Sequence, residues 1–214
     1  MKRLFLALII LSSQSVFGYQ QDILNNMNPI EFKHENRFSL MYGVTPSLRS
    51  ATEVGNFTIS FSKKSENFWW DANLLIANGL FSRFGKNNPA ATGLTDTQLA
   101  DQRNGHTTVG IGVGRETRYA QTLLPFSDIY EMISANITYN IYKENLSGKS
   151  FSGPGILAKM TMYKMINEYF SVGTHFNYNL SVVKRAQDFD TETSSARSLT
   201  LGYLTVGFDV SLFL

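Results

Sequence analysis

The 214-residue chain contains no cysteine, which removes disulfide frameworks, thiolate metal sites and cysteine nucleophiles together. Proline is scarce, at 5 residues, and only 17% of residues are charged, so proline-rich linkers, collagen-like repeats and highly charged disordered chains are excluded. A surplus of one charge is missing too. The 19 basic residues stand against 17 acidic ones, a balance that gives no support to a nucleic-acid partner. After the first residues, no stretch reaches the ~18 consecutive apolar residues that a membrane-spanning helix needs. If the chain enters a membrane beyond that point, it does so with strands. What the sequence has is 43% hydrophobic residues, with 16 Phe, 10 Tyr and 2 Trp, the composition of a single strand-rich domain.

Residues 1–18 open with Lys2 and Arg3, continue through an apolar run over 4–11, and close on Val16, Phe17 and Gly18. This three-part order is that of a secretory signal peptide cut after Gly18. Loss of Lys2 and Arg3 would leave 17 basic and 17 acidic residues, a formally neutral mature protein. Residues 19–35 then read as an N-terminal segment ahead of the folded domain at 36–214.

From Asn36 onward the dominant pattern is alternation at period two, which sends successive side chains to opposite faces of a strand. Phe38, Leu40, Tyr42 and Val44 alternate with Ser39, Met41 and Gly43, and Phe57, Ile59 and Phe61 with Thr58 and Ser60. Trp70, Ala72, Leu74 and Ile76 form a third run, and Val109, Ile111 and Val113 a fourth, set against Gly110, Gly112 and Gly114. Runs five to eight follow at Ile133 to Ile141, Ala158 to Met162, Phe170 to Val182 and Leu204 to Leu214. The connections 63–66, 122–127 and 166–168 are short, whereas 84–106, 144–153 and 184–197 are long and polar. Eight strands with short turns at one end and long loops at the other predict an all-β, antiparallel up-and-down barrel with both termini on the short-turn side.

Alternation by itself does not say which face points outward, and a secreted lipocalin-like barrel uses the same period with its apolar face inward. Three features favour a membrane barrel. The polar face carries bulk and charge at Asp71, Glu116, Arg118, Lys159, His175 and Asp209, which suits a small interior filled by a network of ion pairs and hydrogen bonds. The last alternating run continues to Leu214. Aromatics gather near the short turns at Phe68, Trp69, Trp70, Tyr119, Phe126, Tyr130, Tyr169 and Phe170, where an interfacial girdle belongs.

On these residues, across Asn36 to Leu214, the chain resembles the small eight-stranded outer-membrane β-barrel proteins of Gram-negative bacteria. The resemblance implies residence in the outer membrane with periplasmic termini and extracellular long loops. It implies contact with outer-membrane lipid and lipopolysaccharide, and assembly by the barrel-insertion machinery. Such proteins usually end on an aromatic residue of apolar parity. Here that parity ends in Leu214, and Phe213 falls on the other face. No particular activity follows, because the fold serves anchors, adhesins, conduits and lipid-modifying enzymes alike.

Other motifs dissolve on their own spacing. Gly110, Gly112 and Gly114 mimic a dinucleotide fingerprint, but Arg115 follows and no helix pattern does; glycines on an inward face make room for large side chains opposite. Of the Asn-x-Ser/Thr triplets at Asn56, Asn136, Asn145 and Asn179, three lie on polar strand faces, and the set reads as a by-product of barrel patterning. His106, where the longest loop meets the fourth strand, is the one candidate for a rim base in acyl chemistry, and His175 points inward. Asp188, Asp190 and Glu192 could offer oxygens to a divalent cation, although Thr193 stands where an EF-hand loop wants glycine. Arg115 shares parity with Val113, so a straight strand turns its charge toward lipid, unless a bulge among the glycines changes the parity. The resulting expectation is a monomeric barrel with a largely filled polar lumen and a structural or surface-interaction role, with no cofactor and no enzymatic activity. The alternatives are a lipid A acyl-chain modifying enzyme and a narrow conduit or sensor for small apolar compounds.

Overall fold

Residues that alternate between apolar and polar cannot share one face of a helix, but they separate cleanly on a pleated strand. In the structure, a computed structural model that describes residues 34–46, 53–66, 68–81, 83–84, 104–117, 129–145, 148–185 and 197–214, nearly all of them are extended. The strands are β1 (Asn36–Val44), β2 (Glu53–Ser65), β3 (Phe68–Leu80), the two-residue β4 (Arg83–Phe84), β5 (Asn104–Thr117), β6 (Ile129–Lys143), β7 (Ser150–Met165), β8 (Phe170–Arg185) and β9 (Arg197–Phe213). Eight long strands pair antiparallel with their sequence neighbours, and β1 pairs with β9 to close the ring. β4 adds a short ladder to the loop-side end of β9.

The register fixes the barrel's shape. Pairing partners lead from Asn36 through Lys63, Trp70, Val113, Ala135, Ala158 and Tyr178 to Leu204. Because Val206 pairs with Val44, Leu204 lies level with position 46, ten residues further along β1. A shear of ten over eight strands tilts them by about 40° and gives a backbone radius of about 8 Å, a ring that side chains can fill. The β5–β6 ladder runs without interruption from Gly105 to Thr117, so no bulge interrupts the glycine run.

The loop-length alternation is weaker than the sequence pattern predicts. β5 ends at Thr117 and β6 starts at Ile129, so this connection on the short-turn side outlasts the one between Lys143 and Ser150 on the other side. The strand pairing, not connection length, sets the topology.

The outer surface is apolar. Ile137, Phe208 and Ile111 are more than 70% exposed, which water would not tolerate as a continuous belt. On β8 the outward apolar residues run from Val172 to Val182 before Lys184 takes over. Ten residues on strands tilted by about 40° make a belt roughly 25 Å tall, the height of a bilayer's hydrocarbon core in such barrels. The interior at that depth is polar, lined by buried Ser39, Thr58, Asn73, Asn136, Asn177 and Thr205. This arrangement is the inverse of a lipocalin-like carrier, and the chain is a transmembrane barrel.

Toward the loop end the arrangement turns inside out. Along β9, inward Leu199, Leu201 and Tyr203 give way to inward Thr205, Asp209 and Ser211, while outward Ser198 gives way to Leu204, Phe208 and Leu212. β3 and β7 show the same switch: Leu75 and Ala77 lie above Asp71 and Asn73, and Phe151 and Leu157 above Lys159 and Thr161. These loop-side residues, with Val54, Tyr142 and Val183, form one buried apolar cluster. The outward residues around them, Glu53, Asn78, Lys143 and Lys184, are exposed and polar. The barrel therefore continues past the membrane belt as a water-facing barrel with an oily core.

Candidate functional site

The candidate site is the lumen, which has three levels. At the short-turn end, Arg37 and Asp209 form an ion pair of 2.7 Å with both side chains almost wholly buried. Arg37 also donates to Ser211 at 3.1 Å, and its guanidinium lies 4.3 Å from the centre of the Tyr163 ring. Tyr163 donates a 2.6 Å hydrogen bond to Glu116 and packs against Phe213, which is fully buried. Slightly higher, Lys159 pairs with Asp71 at 2.6 Å and donates to Ser60 at 2.9 Å. Asp71 also accepts from Ser60 at 2.6 Å and from Ser62 at 3.0 Å. Each charge thus meets an opposite charge or several donors, the condition under which burial is tolerated.

The middle level holds amides and hydroxyls around glycines. His175 donates from Nδ1 to the Phe208 carbonyl at 3.1 Å, and its ring occupies space that only Gly43 leaves open: a Cβ there would stand 2.7 Å from His175 Nε2. Gly110 does the same for Asn73, whose Oδ1 would lie 2.9 Å from an added Cβ. The glycine run is therefore packing, as its inward parity predicts. Thr108 donates to Asn140 at 2.8 Å, and Asn56 donates to Thr205 at 2.9 Å. Asn56, Asn136 and Asn179 all face this interior.

The top level is aromatic. Phe81, just beyond β3, packs edge-on to His106, Tyr142 and Tyr203. His106 is 1% exposed, and its Nδ1 lies 2.8 Å from the Tyr203 hydroxyl.

Of the residues singled out from the sequence, Asp71, Glu116, Lys159, His175 and Asp209 meet in the lumen as their parity implies. Arg118 lies outside the described residues, as do Asp188, Asp190, Glu192, Tyr119 and Phe126. Three placements differ from expectation. His106 is not a rim base facing lipid, because its parity turns it into the loop-side core, where its nearest polar partner is a tyrosine. Trp69 is no girdle residue; it is 2% exposed inside the barrel, and Trp70 takes the outer surface. Above the switch level the lumen is filled mainly by apolar and aromatic side chains, with Asn104 and Ser181 buried among them. The reading also missed Arg37. Its position opposite Phe38 and Leu40 carried the signal, since inward parity for Ser39 and Met41 requires the same for Arg37.

Arg115 points outward near the short-turn end of β5, paired across the ladder with Ile133. At that depth the cost of a charge falls toward zero, in contrast to mid-bilayer. Leu214 is 62% exposed on the outer face while Phe213 is inside, so the apolar parity ends where the sequence places it.

No protein-family model matches the chain, and no curated protein matches it in sequence. Among solved structures it is similar to Neisserial surface protein A at 12% identity, over 83% of this chain and 95% of that one, with a TM-score of 0.49. It is also similar to Ail, the attachment invasion locus protein of Yersinia pestis, at 10% identity over 83% and 98% of the two chains, with a TM-score of 0.36. A major outer membrane protein from Thermus thermophilus shares 12% identity over 83% of this chain and all of that one, with a TM-score of 0.38. The assignment of the fold rests on the closed hydrogen-bonded ring itself.

Proposed function

We propose that the protein is a monomeric barrel of a Gram-negative outer membrane that anchors its extracellular loops as an interaction surface, and that it is not an enzyme. The carrying observation is the packing of the lumen, with Arg37 against Tyr163 and Phe213 below and Phe81, His106, Tyr142 and Tyr203 in mutual ring contact above. A plugged interior suits a rigid support for loops better than a conduit. Both inward histidines are buried away from lipid: His106 lies against Tyr203, and His175 donates to a backbone carbonyl over Gly43. Acyl transfer needs a nucleophile and base that lipid chains can reach.

In this reading residues 1–18 are removed as a signal peptide, 19–35 remain periplasmic with the C-terminus, and the long loops face outward among lipopolysaccharide after delivery by the barrel-insertion machinery. The experiment compares lipid A structure and outer-membrane permeability in cells with and without the protein. The expected result is no change in either, with heat-modifiable gel mobility of the membrane-bound protein. A lipid A change that disappears in His106→Ala would replace this reading by the enzyme, and single-channel current through the purified protein would replace it by the conduit.

A further inference from the structure

On the outer face near the short turns, β3, β5 and β6 leave a cleft of about 470 Å³ walled by Phe68, Trp70, Val113 and Ile133, with Ala135 among the small residues beneath. Phe68 and Trp70 meet edge-on, their ring centres 5.5 Å apart, and form one firm side. Arg115 belongs to the same cleft and is exposed, with no ion pair or hydrogen bond to any described residue. The carboxylate closest in register, Glu131, is 3% exposed and accepts from Thr117. A shallow, open apolar depression with one free guanidinium at its interfacial end matches an amphiphile with an anionic head. The forked donors of Arg suit a phosphate, and a snorkelling side chain reaches the depth where lipid phosphates lie. A second copy of this chain, whose Glu66 and Glu168 are exposed at the same short-turn end, is the competing occupant.

We propose that this cleft binds a phospholipid of net negative charge, with its phosphate on Arg115 and an acyl chain along Phe68, Trp70 and Ala135. The inference rests on the membrane reading above and adds a headgroup-selective site to it. The chain's own tryptophans supply the measurement. There are only 2, Trp69 is shielded in the lumen, and Trp70 is 57% exposed on the cleft wall. The mature protein is inserted into mixed phosphatidylcholine and phosphatidylglycerol vesicles in which one or the other lipid carries bromine, a contact quencher, at equal mole fraction. Brominated phosphatidylglycerol should associate with Trp70 about fivefold more strongly than brominated phosphatidylcholine, the factor that one basic side chain contributes beside anionic lipid. Arg115→Gln should bring the two lipids to parity by removing the charge, and Ala135→Phe by filling the depression, each with heat-modifiable mobility retained. Equal quenching in the wild type, or a preference that survives Arg115→Gln, overturns the site. A dimer that shields Trp70 from both lipids and is lost in Ala135→Phe assigns the cleft to a second copy instead. No quenching by either lipid would refute membrane insertion itself, a failure distinct from the others.

Discussion

The belt half of the barrel and its loop-side half use the same strands, the same register and the same alternation, yet they bury opposite chemistries. On β9 the change occurs between Tyr203 and Leu204, within one residue. Below it the surroundings are hydrocarbon, so apolar side chains lose nothing by facing out, and the polar interior must satisfy itself. Above it the surroundings are water, and Leu199, Leu201 and Val183 are driven inward as in any soluble protein. Period two fixes which residues share a face, and the solvent outside decides what that face is made of.

The comparison can be broken most severely in the belt half. Asp209→Ala leaves Arg37 buried without its partner and should cost about 3 to 5 kcal/mol of unfolding free energy in detergent, read by denaturant titration. Replacing the pair together, as Arg37→Met with Asp209→Leu, should recover most of that loss; equal losses for the single and double variants would show that the charges are not coupled.

In the loop-side half the corresponding injury is a cavity. Leu201→Ala should cost about 3 kcal/mol in the same titration, because Leu201 is fully buried among apolar neighbours. If that core were instead a hydrated vestibule, the loss would be far smaller.

The sharpest contrast uses one strand and one face. Phe208→Lys, in mid-belt, should cost about 2 to 4 kcal/mol in lipid, whereas Ser198→Lys, ten residues up the same face, should cost nearly nothing. Comparable costs would erase the boundary. A smaller effect is expected at Gly110, where valine must displace Asn73 and Thr138 and should cost about 1 to 3 kcal/mol, seen as a lowered melting temperature.

Much of this was legible before the structure. All eight long strands and most of their inward residues could be read from alternation, because a strand's side-chain period is insensitive to tertiary context. Asp71, Lys159, His175 and Asp209 followed from parity alone. The switch was written in Ser198, Leu199, Thr200, Leu201, Gly202 and Tyr203, where the polar and apolar letters exchange phase, but those residues read as the approach to a strand beginning near Leu204. His106 was misread for the same reason. Its place beside a loop suggested exposure, whereas the strands continue past the membrane and hold it in a core. Partner identity inside the lumen was not legible, because Arg37 meets Asp209, 172 positions further along the chain, only after the ring closes.

That closure governs how such a chain can be assembled. β1 and β9 are the margins of one curled sheet until they meet, and every other long strand pairs with the long strands next to it in sequence. Until β9 arrives, β1 presents unsatisfied amides and carbonyls along its length, the kind of template on which strands of other molecules add. Seven hairpin-like pairings can zip locally and fast, but the eighth has high contact order and is the slow step. Completion of the barrel therefore waits on a single seam, and a factor that held that seam open or shielded it during insertion would control the yield of the whole barrel.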